Sequence, residues 1–177
     1  MLGPMKVLVA LGFLVVAASS QAIDSKTWMH KGCKIHVTIG AREESNIGSY
    51  LVTVVAPSGK RATARMDRDG TITGAWAADL DRDGKFEVLV ATRSAGGGSY
   101  GKLSIHSWTG SNLKKRSVPE LSASQLKGYR GQDTFTVSRN ALYRSYPTFT
   151  QKSNDPARRT GMKSLRLNLP RFRWEAA

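Results

Sequence analysis

Apolar and polar residues alternate with a period of two along most of the chain. The segments SYLVTVV (49–55), RATARM (61–66), TITGAWAADL (71–80) and FEVLVATR (86–93) read as strands. So do KLSIHSW (102–108), DTFTVS (133–138), ALYRSYP (141–147) and SLRLNLP (164–170), and KIHVTIG (34–40) is a further candidate. In the last-numbered of these segments Leu165, Leu167 and Leu169 share one face and Arg166 and Asn168 the other, as the pleat of a strand requires. Pro57-Ser58-Gly59, Asp69-Gly70, Asp83-Gly84 and Ser138-Arg139-Asn140 carry the chemistry of tight turns between antiparallel neighbours. SASQLKGY (122–129) is the one helical candidate, with Ser122 or Ser124 as N-cap and Gly128 as stop. QKSNDPARRTG (151–161) reads as a surface loop. Short strands in series with short connections predict an all-β fold: an antiparallel β-sandwich, mostly meander, with one short helix.

The first residues break the alternation. Lys6 precedes an apolar run from Val7 to Ala18, and Ser20-Gln21-Ala22 closes it. That layout predicts a signal peptide over residues 1–22, removed on export to the periplasm. The apolar run is too short for a bilayer span, which takes roughly 20 residues, so no membrane insertion is expected. Residues 23–177 then form a single domain.

Charge narrows the partners. Lys and Arg number 27 against 13 Asp and Glu, a net charge of +14 that falls to +13 without Lys6. Such a surface favours anionic partners. Export argues against nucleic acid and leaves anionic wall polymer, lipid headgroups or an acidic protein cleft. Cys33 is the single cysteine. It is either a small buried hydrophobe or a bridge to a second copy, and a homodimer stays open on that ground.

Asp79-Leu80-Asp81-Arg82-Asp83-Gly84, with Glu87 beyond it, resembles the opening of a calcium loop. The twelfth position, where such a loop needs a bidentate Glu, is Val90. A turn whose Asp side chains bond nearby backbone N–H groups accounts for the pattern more simply, and Asp67-Arg68-Asp69-Gly70 looks like a shorter version. No metal or other cofactor is expected. His30, His36 and His106 are scattered without metal-ligand spacing. Hydrolysis of a glycan would need two positioned carboxyl groups, and turn formation already accounts for the acidic cluster, so no catalytic residues are assigned. Arg166, Arg171 and Arg173 with Trp174 form the best candidate patch for a polyanion.

RSAGGGSYG (93–101) separates two of the clearest strands. Ser94 to Gly101 is long for a hairpin connection, and three consecutive glycines lose much conformational freedom on ordering. A thin tip of this kind suits a narrow cleft, where backbone N–H groups can approach a partner closely. Tyr100 adds a rigid anchor with a hydroxyl, the kind of residue that dominates interfaces. Arg93 and Lys102 flank the loop and favour an acidic cleft.

Four blocks carry a family resemblance: DLDRDGKFEVLVATRSAGGGSYGKLSIHSW, VPEL (118–121), GYRGQDTFTV (128–137) and LYRSYPTF (142–149). In this order the chain resembles the periplasmic inhibitors of invertebrate-type (i-type) lysozyme over roughly residues 75–170. The resemblance implies a β-sandwich that is not an enzyme, with lysozyme as its protein target. It also implies a loop of Ser-Gly-Ser-Tyr character that enters the lysozyme cleft. Gly98, Ser99 and Tyr100 match the last three positions of that motif, and Gly97 stands where the family has its first serine. Loss of one hydroxyl bonded to a charged carboxylate costs about 1.5–3 kcal/mol unless another donor, such as Ser94, replaces it. The family's paired cysteines before the last strand are absent from NDPARRTG (154–161). The alternative reading is a basic envelope-binding module that recognises anionic wall polymer or lipid headgroups without inhibiting an enzyme. A third is a calcium-stabilised adhesion module.

Overall fold

The computed structural model describes residues 22–44, 46–150 and 158–177. The signal segment up to residue 21, and residues 151–157 of the expected surface loop, lie outside the described residues. The chain runs β1 (Ser25–His30), β2 (Cys33–Ile39), β3 (Ile47–Val55), β4 (Arg61–Asp69), β5 (Thr71–Ala78), β6 (Phe86–Arg93), β7 (Gly101–Trp108) and β8 (Leu113–Arg116). Then come α1 (Ala123–Leu126), β9 (Thr134–Ser138), β10 (Ala141–Phe149), β11 (Arg159–Asn168) and β12 (Arg173–Ala176). Three four-stranded sheets result: β1 to β4, β5 to β8 and β9 to β12, each a meander of consecutive neighbours whose pairs are all antiparallel.

The sandwich has three layers, because the middle sheet buries both faces. Phe86 through Thr92 are all buried in β6. Phe86, Val88 and Val90 join Ile35, Val37, Val52 and Val54 of the first sheet in one core. Leu89 and Ala91 of the same strand join Leu142, Tyr146, Leu165 and Leu167 of the third sheet in another. A strand covered on both sides reads as a near-continuous apolar run. Fully burying each large apolar side chain contributes about 1.5–3 kcal/mol. Glu87 is the charged exception in that run. Its carboxylate accepts from Leu80 N–H at 2.9 Å and from the Ser107 hydroxyl at 3.0 Å, and burial pushes its pKa up.

One expected hairpin is a crossing instead. β4 pairs with β3 and β5 with β6, so Asp69-Gly70 carries the chain from the first sheet to the second. Asp67 and Asp69 lie in β4, and Arg68 between them is buried. Its guanidinium donates to Ser49 O at 3.1 Å and to Gly70 O at 3.0 Å, tying the crossing to β3. Gly70 has φ +119 and a Cβ there would lie 2.0 Å from Arg93 O, so only glycine fits.

α1 is a single turn. Ser122 caps it, and Gln125 returns a bond to the Ser122 N–H in a reciprocal capping box. Strand β11 starts at Arg159, so the last residues of the expected loop 151–161 are strand. Cys33 is buried in the first core, and burial raises its thiol pKa. Among the described residues, no helix is long and apolar enough to cross a membrane.

Candidate functional site

The β6–β7 connection runs from Ser94 to Tyr100, since Gly101 already pairs with Arg93 as the first residue of β7. Ser94 closes its base. The Ser94 N–H donates to Tyr100 O at 3.0 Å, and the Tyr100 N–H donates to the Ser94 hydroxyl at 3.0 Å. Inside the loop the Ser99 N–H reaches Gly96 O at 2.9 Å, with Ser99 at φ +44. The three glycines differ. A Cβ on Gly98 would lie 2.1 Å from the Tyr100 ring, whereas one on Gly96 or Gly97 meets nothing within 4 Å. A side chain on Gly98 would therefore push the Tyr100 ring out of this position. Gly96 and Gly97 leave bare backbone open to a partner. Tyr100 is 47% exposed.

The loop rests on the segment that leads into the third sheet. The Gln132 N–H is shared by Gly98 O and Ser99 O, both at 3.1 Å. The Gly101 N–H donates to Asp133 Oδ2 at 2.8 Å. The Tyr100 ring meets the Tyr129 ring edge-on, with centroids 5.8 Å apart. Asp133 is only 2% exposed, and its other contacts are strong. Arg144 Nε donates to Oδ1 at 2.7 Å and the Tyr129 hydroxyl to Oδ2 at 2.6 Å. Burial, followed by the Asp133 carboxylate, pushes the Tyr129 phenol well up, so it stays protonated as a donor. The Arg144 guanidinium lies over the Tyr129, Phe135, Tyr146 and Trp174 rings at 5.5–5.8 Å. A cation among aromatic faces is favoured by their quadrupoles. Sequence reasoning missed this brace. Gln132 and Asp133 lie more than 30 positions from the loop, and no local period marks them.

The other candidates are placed as follows. Arg93 is half-buried at the end of β6. Lys102 is exposed on the opposite face of β7 from Gly101 and pairs with Asp69 at 3.9 Å. Oxygens of Asp79, Asp81 and Asp83 lie within 4.8 Å of one another, and each residue has partners. Asp79 Oδ2 accepts from Lys31 Nζ and from Gly84 N–H, both at 3.1 Å. Asp83 accepts from Lys85 N–H at 2.8 Å, and Asp81 faces Arg116 at 3.7 Å. Glu87 is not among those three, and its carboxylate is taken up by the Leu80 N–H and the Ser107 hydroxyl. Of the C-terminal patch, Trp174 is buried and donates to Pro119 O at 2.8 Å. Arg173 and Arg171 both pair with Glu175, at 2.8 and 4.0 Å, so the charge of that patch is partly neutralised, while Phe172 between them is 52% exposed.

What the fold and the loop define is a presenting scaffold, in which stacked sheets hold out one aromatic residue on a braced glycine turn. A family model described as the periplasmic lysozyme inhibitor of I-type lysozyme, PliI, matches residues 24–128. The chain belongs to that family, whose members inhibit lysozyme; it is an inhibitor and not an enzyme. A similar solved structure is PliI-Ah, a periplasmic lysozyme inhibitor of I-type lysozyme from Aeromonas hydrophyla. It is 26% identical over 51% of this chain and 83% of its own, with a TM-score of 0.47. No curated protein matches the sequence. The family match covers the first two sheets and α1; β9 to β12 lie beyond it.

Proposed function

We propose that the chain, exported after loss of residues 1–22, inhibits an i-type lysozyme by placing its 94–100 loop in the active-site cleft. Tyr100 is the chief contact in this reading. Lysozymes cut glycosides with two carboxyl groups flanking the scissile bond. A loop that fills the cleft excludes the glycan. The Ser99 hydroxyl, the Tyr100 hydroxyl and the open backbone at Gly96 and Gly97 offer donors to those carboxylates. No covalent step and no cofactor enters.

The observation that carries this reading is the half-exposed Tyr100 ring, held on a loop whose base and tip are both hydrogen-bonded. A fixed aromatic side chain contacts a partner at low entropic cost. Replacing Tyr100 by Ala is expected to abolish inhibition of an i-type lysozyme in a cell-wall lysis assay, with the melting temperature retained. A Tyr100→Ala variant that inhibits as well as the parent would reject the loop and favour the basic envelope-binding module, whose binding to polyanions that substitution leaves intact.

A further inference from the structure

A turn containing Gly96, Gly97 and Gly98 should sample many backbone states when free. Any partner that needs one of them sees its affinity reduced by the fraction of time the loop spends there. Here the loop is fixed by contacts from outside its own hairpin, and those contacts converge on residues 129–133. We infer that Gly131 and Asp133 are positioning residues for the 94–100 loop, through which the third sheet holds Tyr100 ready for its target. This rests on the loop reading given above.

The geometry at Gly131 is specific to that task. Its φ is +85, and a Cβ on it would lie 2.0 Å from Gly98 O and 3.2 Å from the Tyr100 ring. The missing side chain at Gly131 thus makes room for the loop itself. Its neighbour Gln132 adopts φ +61, and its N–H reaches Gly98 O and Ser99 O. Gly101 is matched in the same way: a Cβ there would lie 2.5 Å from Asp133 Cβ. Two glycines on opposite sides of the contact therefore let the two segments touch.

Asp133 supplies the fixed point. Its carboxylate holds the Gly101 N–H and is itself held by Arg144 and Tyr129. Phe135, Tyr146 and Trp174, which lie against that guanidinium, belong to the second core. The brace therefore runs from the base of the loop to the interior of the third sheet, which lies outside the family-matched residues. Preorganisation of this kind raises affinity by removing the ordering cost at the moment of binding.

The test compares Gly131→Ala, Asp133→Ala and Tyr100→Ala in the mature protein. Inhibition constants against an i-type lysozyme are measured beside amide hydrogen exchange in the loop and in β6 and β7. Gly131→Ala and Asp133→Ala are each expected to raise the inhibition constant roughly tenfold or more, as a tenfold drop in the competent fraction requires. Exchange should quicken at residues 94–101 while the interior amides of β6 and β7 stay protected. Unchanged inhibition and unchanged loop exchange in both variants would overturn the inference. So would a loss of inhibition in which β6 and β7 open to the same degree, because that is global destabilisation. Should Asp133→Ala fail to fold, Gly131→Ala carries the test alone, since it leaves the Asp133–Arg144 pair in place. Tyr100→Ala separates the two readings: if it inhibits normally the cleft-filling role fails, and loop exchange still reports whether residues 131 and 133 hold the loop.

Discussion

His106 lies at 1% exposure in β7, and both of its ring nitrogens are without a hydrogen-bond partner. Burial, with Lys115 on the adjacent strand adding to it, lowers its pKa to about 4. The folded state therefore resists a proton that the unfolded chain accepts near pH 6.5. Below that pH the unfolded state binds more protons, so the stability His106 contributes is lost as pH falls from 6.5 toward 4. Between pH 7 and pH 5 the loss attributable to this ring is about 2 kcal/mol. Urea unfolding at the two pH values measures it, and His106→Leu should remove most of the difference. The raised pKa of Glu87 acts in the opposite sense, which is why the variant, and not the parent alone, isolates the histidine. A parent and a His106→Leu variant with the same pH dependence would contradict this account. The burial of His106 was not legible in the sequence beyond its place in a strand. It pairs with Val88 across β6, and only a sheet covered on both faces seals it.

At the scale of elements, the loop yields its own prediction. Gly97 stands where the family resemblance puts a serine, its φ is not positive, and a Cβ on it meets nothing. Gly97→Ser therefore fits without strain. A hydroxyl bonded to a charged carboxylate is worth about 1.5–3 kcal/mol, so the variant should inhibit an i-type lysozyme roughly tenfold or more tightly. A titration that gives equal or weaker inhibition would show that the missing hydroxyl has no role. Sequence periodicity found β3 through β7 and β9 to β11, and offered β2 as a further candidate. Those it missed are β1, β8 and β12. Leu113-Lys114-Lys115-Arg116 has one apolar residue in four, and Arg173-Trp174-Glu175-Ala176 is equally short. Both lie at sheet edges, where charge is favoured over an apolar run. The candidate site was legible in part. Gly98, Ser99 and Tyr100 stood out as a local motif, whereas Gly131 and Asp133 did not, because glycine and aspartate before a strand look like any turn.

At the scale of the molecule, charge governs encounter. A net charge of +14, or +13 without residues 1–22, steers association with an acidic partner and slows it with a basic one. Association with acidic lysozymes is therefore expected to be fast at low salt and to slow as salt rises, while basic lysozymes show the reverse trend. Rates measured by stopped flow across both kinds would check this; tighter inhibition of basic lysozymes at low salt would reject it. The third layer was the largest feature not visible beforehand. FEVLVATR alternates imperfectly, with Glu87 and Thr92 among its apolar residues. Alternation alone could not say that both faces of this strand are covered.

Each layer is wired from consecutive strands, which has a kinetic consequence. Neighbours in sequence zip together without closing long loops, the topology that favours rapid folding. The central layer cannot become dry, however, until a partner has docked on each side. Strands β9 to β12, which follow the other two sheets in the chain, seal the second of those sides, so the loop proposed to meet the target should stiffen only at that docking step.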